Sequence, residues 1–275
     1  MKSDSPPTRR SLPQPDRVRV DLADRGYDIL IQEGLIDRVG ELLLPLTKSS
    51  DAVVVTNPVV KRLYGSRLLR SLKAAGFRTA VLCLPDGERT KSLQWVSVIL
   101  NELVRRRYER KTVLLALGGG VIGDLAGFAA SVYLRGIPFI QLPTTLVAQV
   151  DSSIGGKTGV NHPLGKNLIG SFYQPKLVLS DPGVLRTLPV REYRAGLAEV
   201  IKYGVIADKL PLGEWCEAMP LTEILQAQSR KQVKAGKERI KDGKAERKPA
   251  ETVVVPKQFF LRIEAGLPRR RVKDD

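Results

Sequence analysis

Three consecutive glycines, Gly118, Gly119 and Gly120, followed by Val121, Ile122, Gly123 and Asp124, are the first residues in this sequence whose types and spacing suit a chemical task. A backbone without side chains at the start of a helix can bring several N–H groups against one anion, so this turn reads as a phosphate cradle. Gly118, Gly120 and Gly123 satisfy G-x-G-x-x-G, but the acid expected about 20 residues further on to hold a ribose is missing. The acids available, Asp86 and Glu88, come before the turn. A bound dinucleotide would therefore have its ribose held by an earlier loop than its pyrophosphate. The bland alternative is a glycine turn needed only for close helix packing. Downstream lie Pro143-Thr144-Thr145, the segment Asp151 to Lys157, Gly165-Lys166-Asn167, and Glu199 with Lys202. Hydroxyls at a strand end also serve as helix caps, and a Glu and a Lys three apart on a helix usually form an exposed salt bridge. Even so, charged and small residues crowd these apolar strands more than a packing scaffold requires.

The elements that must hold these residues alternate. Arg17 to Leu22 and Tyr27 to Gln32 read as a hairpin around Asp24-Arg25-Gly26. A helix is expected over Leu35 to Leu44, a buried strand over Asp51 to Thr56 ending at Asn57, and a helix over Val59 to Ala75. Thr79 to Leu84 is the next strand, and a helix follows through about Arg107. Thr112 to Leu117 is a strand, and the helix after the glycines is expected to start near Leu125. Further strands are expected at Gly136 to Leu142 and Lys176 to Ser180, a helix start at Asp181-Pro182, and a helix from Val190 to Val205. Strands alternating with helices through short connections predict an α/β fold, a parallel sheet covered on both faces, with ligands at the carboxyl edge.

A chain of 275 residues can bury one large core or two modest ones, and 43% apolar with 27% charged residues is ordinary for a globular protein. The apolar runs are shorter than the roughly 18 residues a membrane span needs, and a polar, proline-rich start points to the cytoplasm. Cys83 and Cys216 match no ligand spacing and read as free thiols. A net charge of +16 raises nucleic acid as a partner, but no aromatic-basic platform or zinc-finger spacing accompanies it. A basic cleft for a phosphorylated substrate together with a basic tail accounts for the same total.

Taken together, the motifs resemble the 3-dehydroquinate synthase family. The resemblance runs from about Tyr27 to Ile206 and is most specific at Pro85 to Ser92, Leu117 to Leu125, Leu142 to Leu146, Gln149 to Lys157, Asn161 to Gly170 and Gly196 to Gly204. Sugar phosphate cyclases of antibiotic pathways, such as 2-deoxy-scyllo-inosose synthase, share much of the pattern. The resemblance implies a Rossmann-like domain over 17–188 that binds NAD, after a disordered leader at 1–16, and the start of a helical domain over 189–228. It implies that Asn57, Asp86, Gly87, Glu88 and Lys91 hold the adenosine side and that Gly118 to Asp124 hold the pyrophosphate. Thr144 and Thr145 would hold the nicotinamide half, with Lys157, Lys166 and Thr187 also at the cofactor. Arg135, Asp151, Lys157, Lys166, Asn167 and Lys202 would serve the substrate, similar to 3-deoxy-arabino-heptulosonate 7-phosphate. Fixed cations near strand ends suit a phosphate and a carboxylate on general grounds as well. The resemblance further implies a homodimer and a divalent metal, zinc or cobalt, held by Glu199 and two histidines.

The metal is where the pattern departs. His162 is the chain's one histidine and precedes Glu199. From Ser229 the sequence becomes lysine- and arginine-rich with little apolar period, so 229–275 is expected to be a disordered basic tail, as after a frame-shift or shortening. Impaired activity is expected. The rival reading is a non-catalytic NAD-binding protein whose tail associates with nucleic acid.

Overall fold

The computed structural model describes residues 14–207, with side chains through Tyr203. The expectations for residues 1–13, for the part of the 189–228 segment beyond 207, for Cys216 and for the 229–275 tail lie outside the described residues. Strand β1 (Asp16–Val20) already begins at Asp16, and it forms the expected antiparallel hairpin with β2 (Tyr27–Ile31). A 3-10 turn (Leu35–Arg38) and a short helix α1 (Val39–Leu43) lead to β3 (Asp51–Thr56). Helices α2 (Pro58–Val60) and α3 (Ser66–Ala74), joined by a π turn, then lead to β4 (Arg78–Cys83). Helix α4 (Leu93–Arg105), β5 (Val113–Gly118), α5 (Gly120–Val132) and β6 (Phe139–Pro143) follow. The described chain ends with a hairpin of β7 (Lys157–His162) and β8 (Gly165–Phe172), then β9 (Leu177–Ser180) and α6 (Val190–Ala207).

Seven strands form one sheet in the order β1-β2-β9-β6-β5-β3-β4, parallel throughout except for β1 against β2. The apolar runs of β3 and β5 have a simple cause, because successive side chains enter different cores. Ala52, Val54, Val113, Leu115 and Leu117 pack under α1 and α3, while Val53, Val55, Leu114 and Ala116 pack under α4 and α5. A strand buried on both faces loses the polar alternation. Each such Val or Leu side chain contributes about 1.5–3 kcal/mol on leaving water.

Helix α5 starts at Gly120, five residues before the start expected near Leu125. The glycines belong to its first turns because there is no room for side chains there. A Cβ on Gly123 would lie 2.7 Å from Gln141 Oε1, and one on Gly127 would lie 2.4 Å from Thr158 Cγ2. The β7–β8 hairpin, which the sequence reading leaves unassigned, lies along α5 on these small residues. Val160 joins the core on that side, and Ser171 Oγ donates to Ser131 Oγ at 2.7 Å. Among the described residues no helix is long and apolar enough to cross a membrane.

Candidate active site

The parallel register brings the carboxyl ends of β9, β6, β5, β3 and β4 to one edge. The order of strand addition reverses around β3, since β4 is added on one side of it and β5 on the other. Asn57 and the glycine turn flank that switch, the place where open α/β sheets bind ligands.

Gly119 caps α5 with extended backbone and no side-chain hydrogen bond, so the first N–H groups of the helix, on Gly120, Val121 and Ile122, have no partner within the helix. A Cβ on Gly119 would stand 3.1 Å from Thr145 Cγ2, and one on Gly120 would stand 2.9 Å from Ser152 Oγ. That Ser152 hydroxyl is buried and has no hydrogen-bond partner. Bare backbone N–H groups beside an orphaned hydroxyl, in a space that a Cβ would fill, fit a dinucleotide pyrophosphate.

The predicted adenosine-side residues gather beside this turn. Asn57 accepts the Val60 N–H at 2.8 Å as the α2 cap and donates to Asp86 Oδ1 at 2.9 Å. Gly87 has φ of 98°, the left-handed region that favours glycine, and leads into a 3-10 turn over Glu88–Thr90. Lys91 is ion-paired with Asp124 in the second turn of α5 and donates to Asn167 Oδ1 at 2.5 Å. Burial raises the pKa of Asp124 more than the Lys91 hydrogen bond and charge lower it, with Glu88 and Asp151 adding to the rise. Lys166 is exposed at the hairpin tip beside Asn167.

On the nicotinamide side, Thr144 is buried, its N–H donating to the Gly118 carbonyl at 2.9 Å. Thr145 Oγ1 accepts the Ala148 N–H at 3.2 Å, which bears out the helix-cap reading of that hydroxyl. Asp151 accepts a 2.6 Å hydrogen bond from the Tyr203 hydroxyl of α6. Thr187 bonds the Tyr64 hydroxyl on the α3 side of the sheet.

Three further expected substrate residues lie on other elements. Arg135 follows the end of α5, about 20 Å from Gly120 along a helix that rises 1.5 Å per residue. It is exposed at the amino edge of the sheet. Lys157 opens β7 at the hairpin base, opposite Phe172. Its neighbour Thr158 packs at Gly127, about 10 Å along α5 from Gly120. Lys202 pairs with Glu199 on α6 and lies 4.7 Å over the Tyr203 ring.

The expected metal finds no matching ligand set. Glu199 is engaged by Lys202, His162 is exposed on the β7–β8 hairpin, and among the described residues no three His, Cys, Asp or Glu side chains converge. Sequence reasoning gave no role to Asn161, Ser152 and Tyr203. Only their nearness in the fold to Glu88, Gly120 and Asp151 marks them.

Residues 81–195 match the family model described as 3-dehydroquinate synthase N-terminal. The 3-dehydroquinate synthase of Laribacter hongkongensis is 58% identical over 196 residues, covering 71% of this chain and 54% of that protein. That of Gloeobacter violaceus is 56% identical over 217 residues, covering 76% and 60%. Thus the chain spans somewhat over half the length of the curated relatives it matches. A solved 2-deoxy-scyllo-inosose synthase superposes with a TM-score of 0.69 at 25% identity, covering 78% of this chain and 63% of that one. The 2-epi-5-epi-valiolone synthase of Streptomyces hygroscopicus subsp. jinggangensis, solved with NAD+ and Zn2+ bound, gives 0.59 at 28% identity, covering 78% and 61%.

The fold is that of the sugar phosphate cyclases. Within that class, residues 81–195 match the 3-dehydroquinate synthase N-terminal model, and the chain is more than half identical to 3-dehydroquinate synthases over the part of their length that it spans.

Proposed function

We propose that this chain carries the dinucleotide-binding part of a 3-dehydroquinate synthase, which converts 3-deoxy-arabino-heptulosonate 7-phosphate to 3-dehydroquinate and phosphate. The observation that carries the reading is the uncapped N-terminus of α5, flanked by the orphaned Ser152 hydroxyl and the Lys91–Asp124 pair. NAD, when bound, supplies an acceptor and later a donor of hydride. The protein's own residues bind and orient. Gly120, Val121 and Ile122 offer N–H groups to the pyrophosphate. Asn57, Asp86 and Glu88 would meet ribose and adenine hydroxyl and amino groups, and Thr144 and Thr145 the nicotinamide half. Lys166 and Asn167 bring a cation and an amide to the same rim, suited to an anionic substrate. Tyr203 holds the Asp151 carboxylate in one orientation, so that it can direct a substrate hydroxyl or a water.

The described residues supply no metal site, so no step is assigned to a metal; from the single histidine of the sequence, His162, we infer that turnover by this chain is impaired. Calorimetric titration of the full chain with NAD, alongside a phosphate-release assay with the heptulosonate phosphate, NAD and zinc, tests both parts. Saturable NAD binding with phosphate release far below that of a histidine-complete relative is expected. Failure to bind NAD would sink the dinucleotide reading, and brisk phosphate release would sink the impairment.

A further inference from the structure

Asn161 makes three polar contacts that join segments distant in sequence. Its backbone N–H donates to the Lys91 carbonyl at 2.9 Å, its Nδ2 donates to Glu88 Oε1 at 2.8 Å, and its Oδ1 accepts the Asn167 N–H at 2.9 Å. Asn167 has φ of 56°, a left-handed backbone that asparagine adopts more readily than most residues. From that conformation its Oδ1 receives Lys91 Nζ at 2.5 Å, and the same ammonium pairs with Asp124. A closed ring of contacts results, from the Lys91 carbonyl through Asn161 and Asn167 back to the Lys91 ammonium.

The strand pairing explains how Asn161 reaches both loops. The β7–β8 register shifts between Val160 and His162, so Asn161 sits at an irregularity in the ladder. Such bulges re-aim a side chain away from the regular alternation of a strand. Asn161 is thereby turned toward Glu88 instead of being held in the hairpin pairing.

We propose that Asn161 is a positioning residue for dinucleotide binding. Acting through Glu88, Asn167 and Lys91, it fixes the two loops that flank the N-terminus of α5. This rests on the dinucleotide reading above. A role confined to hairpin stability would make Asn161 replaceable without regard to the direction of its hydrogen bonds. A positioning role requires a donor facing Glu88 and an acceptor facing Asn167.

The test uses the full chain with NAD as the probe and dissociation constants from calorimetry. Asn161→Asp keeps the acceptor for the Asn167 N–H but sets two carboxylates against each other at Glu88. Combining it with Glu88→Gln restores that hydrogen bond in the opposite direction, and Glu88→Gln alone shows what loss of the carboxylate does by itself. Asn161→Asp is expected to weaken NAD binding about tenfold or more. The double variant is expected to return to within about threefold of Glu88→Gln. Equal affinity of Asn161→Asp and the unsubstituted chain overturns the inference, as does a double variant no tighter than Asn161→Asp. Amide hydrogen exchange on the unsubstituted chain reads the same coupling without a substitution. Slower exchange at Asn161 and Asn167 on saturation with NAD supports it, and unchanged exchange overturns it. An unsubstituted chain that binds no NAD fails the dinucleotide reading itself, a result distinguishable from tight binding indifferent to Asn161.

Discussion

Two lysine–carboxylate pairs on this protein are alike in chemistry and opposite in setting. Lys91 and Asp124 are 33 positions apart, with side chains 9% and 16% exposed, and they tie the loop before α4 to α5. Glu199 and Lys202 are three apart on one helix, with side chains 31% and 46% exposed. Water and salt screen the second pair, and two long side chains must be ordered to make it. The first pair has left water, so each charge depends on the other and on Asn167 beyond it. The contrast teaches that an ion pair visible as a helix spacing was the weaker sign of a site. The pair that matters was assembled by the fold.

Removing one partner of the buried pair should break the contrast most sharply. Lys91→Ala leaves Asp124 without its cation, and a loss of about 3 kcal/mol in urea unfolding is expected. A loss indistinguishable from that of an exposed pair would erase the distinction. Next in size is Gly127→Ala, whose added Cβ meets Thr158 Cγ2 at 2.4 Å and Phe139 Cε1 at 3.0 Å. Prising the hairpin from α5 should cost about 1–3 kcal/mol in the same assay and weaken NAD binding with it. Stability unchanged by that methyl would mean that the close approach does not hold the hairpin.

A pH series sharpens the comparison further. Burial raises the pKa of Asp124 in the folded state, so between the ordinary carboxylate value and the raised one the folded protein binds more protons than the unfolded. The contribution is full below the unfolded value and is lost as pH rises through the folded value, with a slope of at most about 1.4 kcal/mol per pH unit. Asp181, also raised by burial, adds in the same direction. Asp124→Asn should remove part of the slope in that acid window. The smallest effect is expected from Lys202→Ala, within about 0.5 kcal/mol of the unsubstituted chain. A cost near that of Lys91→Ala would show that α6 is held by a charge the exposure does not reveal.

Much of the architecture was legible because its signal is local. The β3 and β5 runs, the hairpin at Asp24 to Gly26 and the helix start at Asp181-Pro182 each stand on neighbouring residues, and each is found. The acids before the glycine turn were likewise readable, and Glu88 lies in the loop that joins Lys91 and Asn161 to it. The β7–β8 hairpin was not legible. Its inner face rests on the bare side of α5, so glycines, threonine and serine replace the alternation that marks a strand. Nor was the start of α5, since glycine argues locally against helix while close neighbours at Gln141 and Ser152 require it. Arg135 lies at the far end of α5 from the glycine turn, and sequence order gives no sense of which edge of a sheet a residue reaches.

By itself, the sequence determined the alternation of strand and helix, the glycine turn, the family motifs and the shortage of histidine, because each is a matter of composition or of spacing within a few residues. Tertiary structure alone decided that Lys91 meets Asp124 and Asn167, that Asn161 joins both loops, and that Arg135 lies at the opposite end of α5. Those outcomes depend on the parallel register of the sheet and on how closely the hairpin can approach α5, distances set by packing between segments that are remote along the chain.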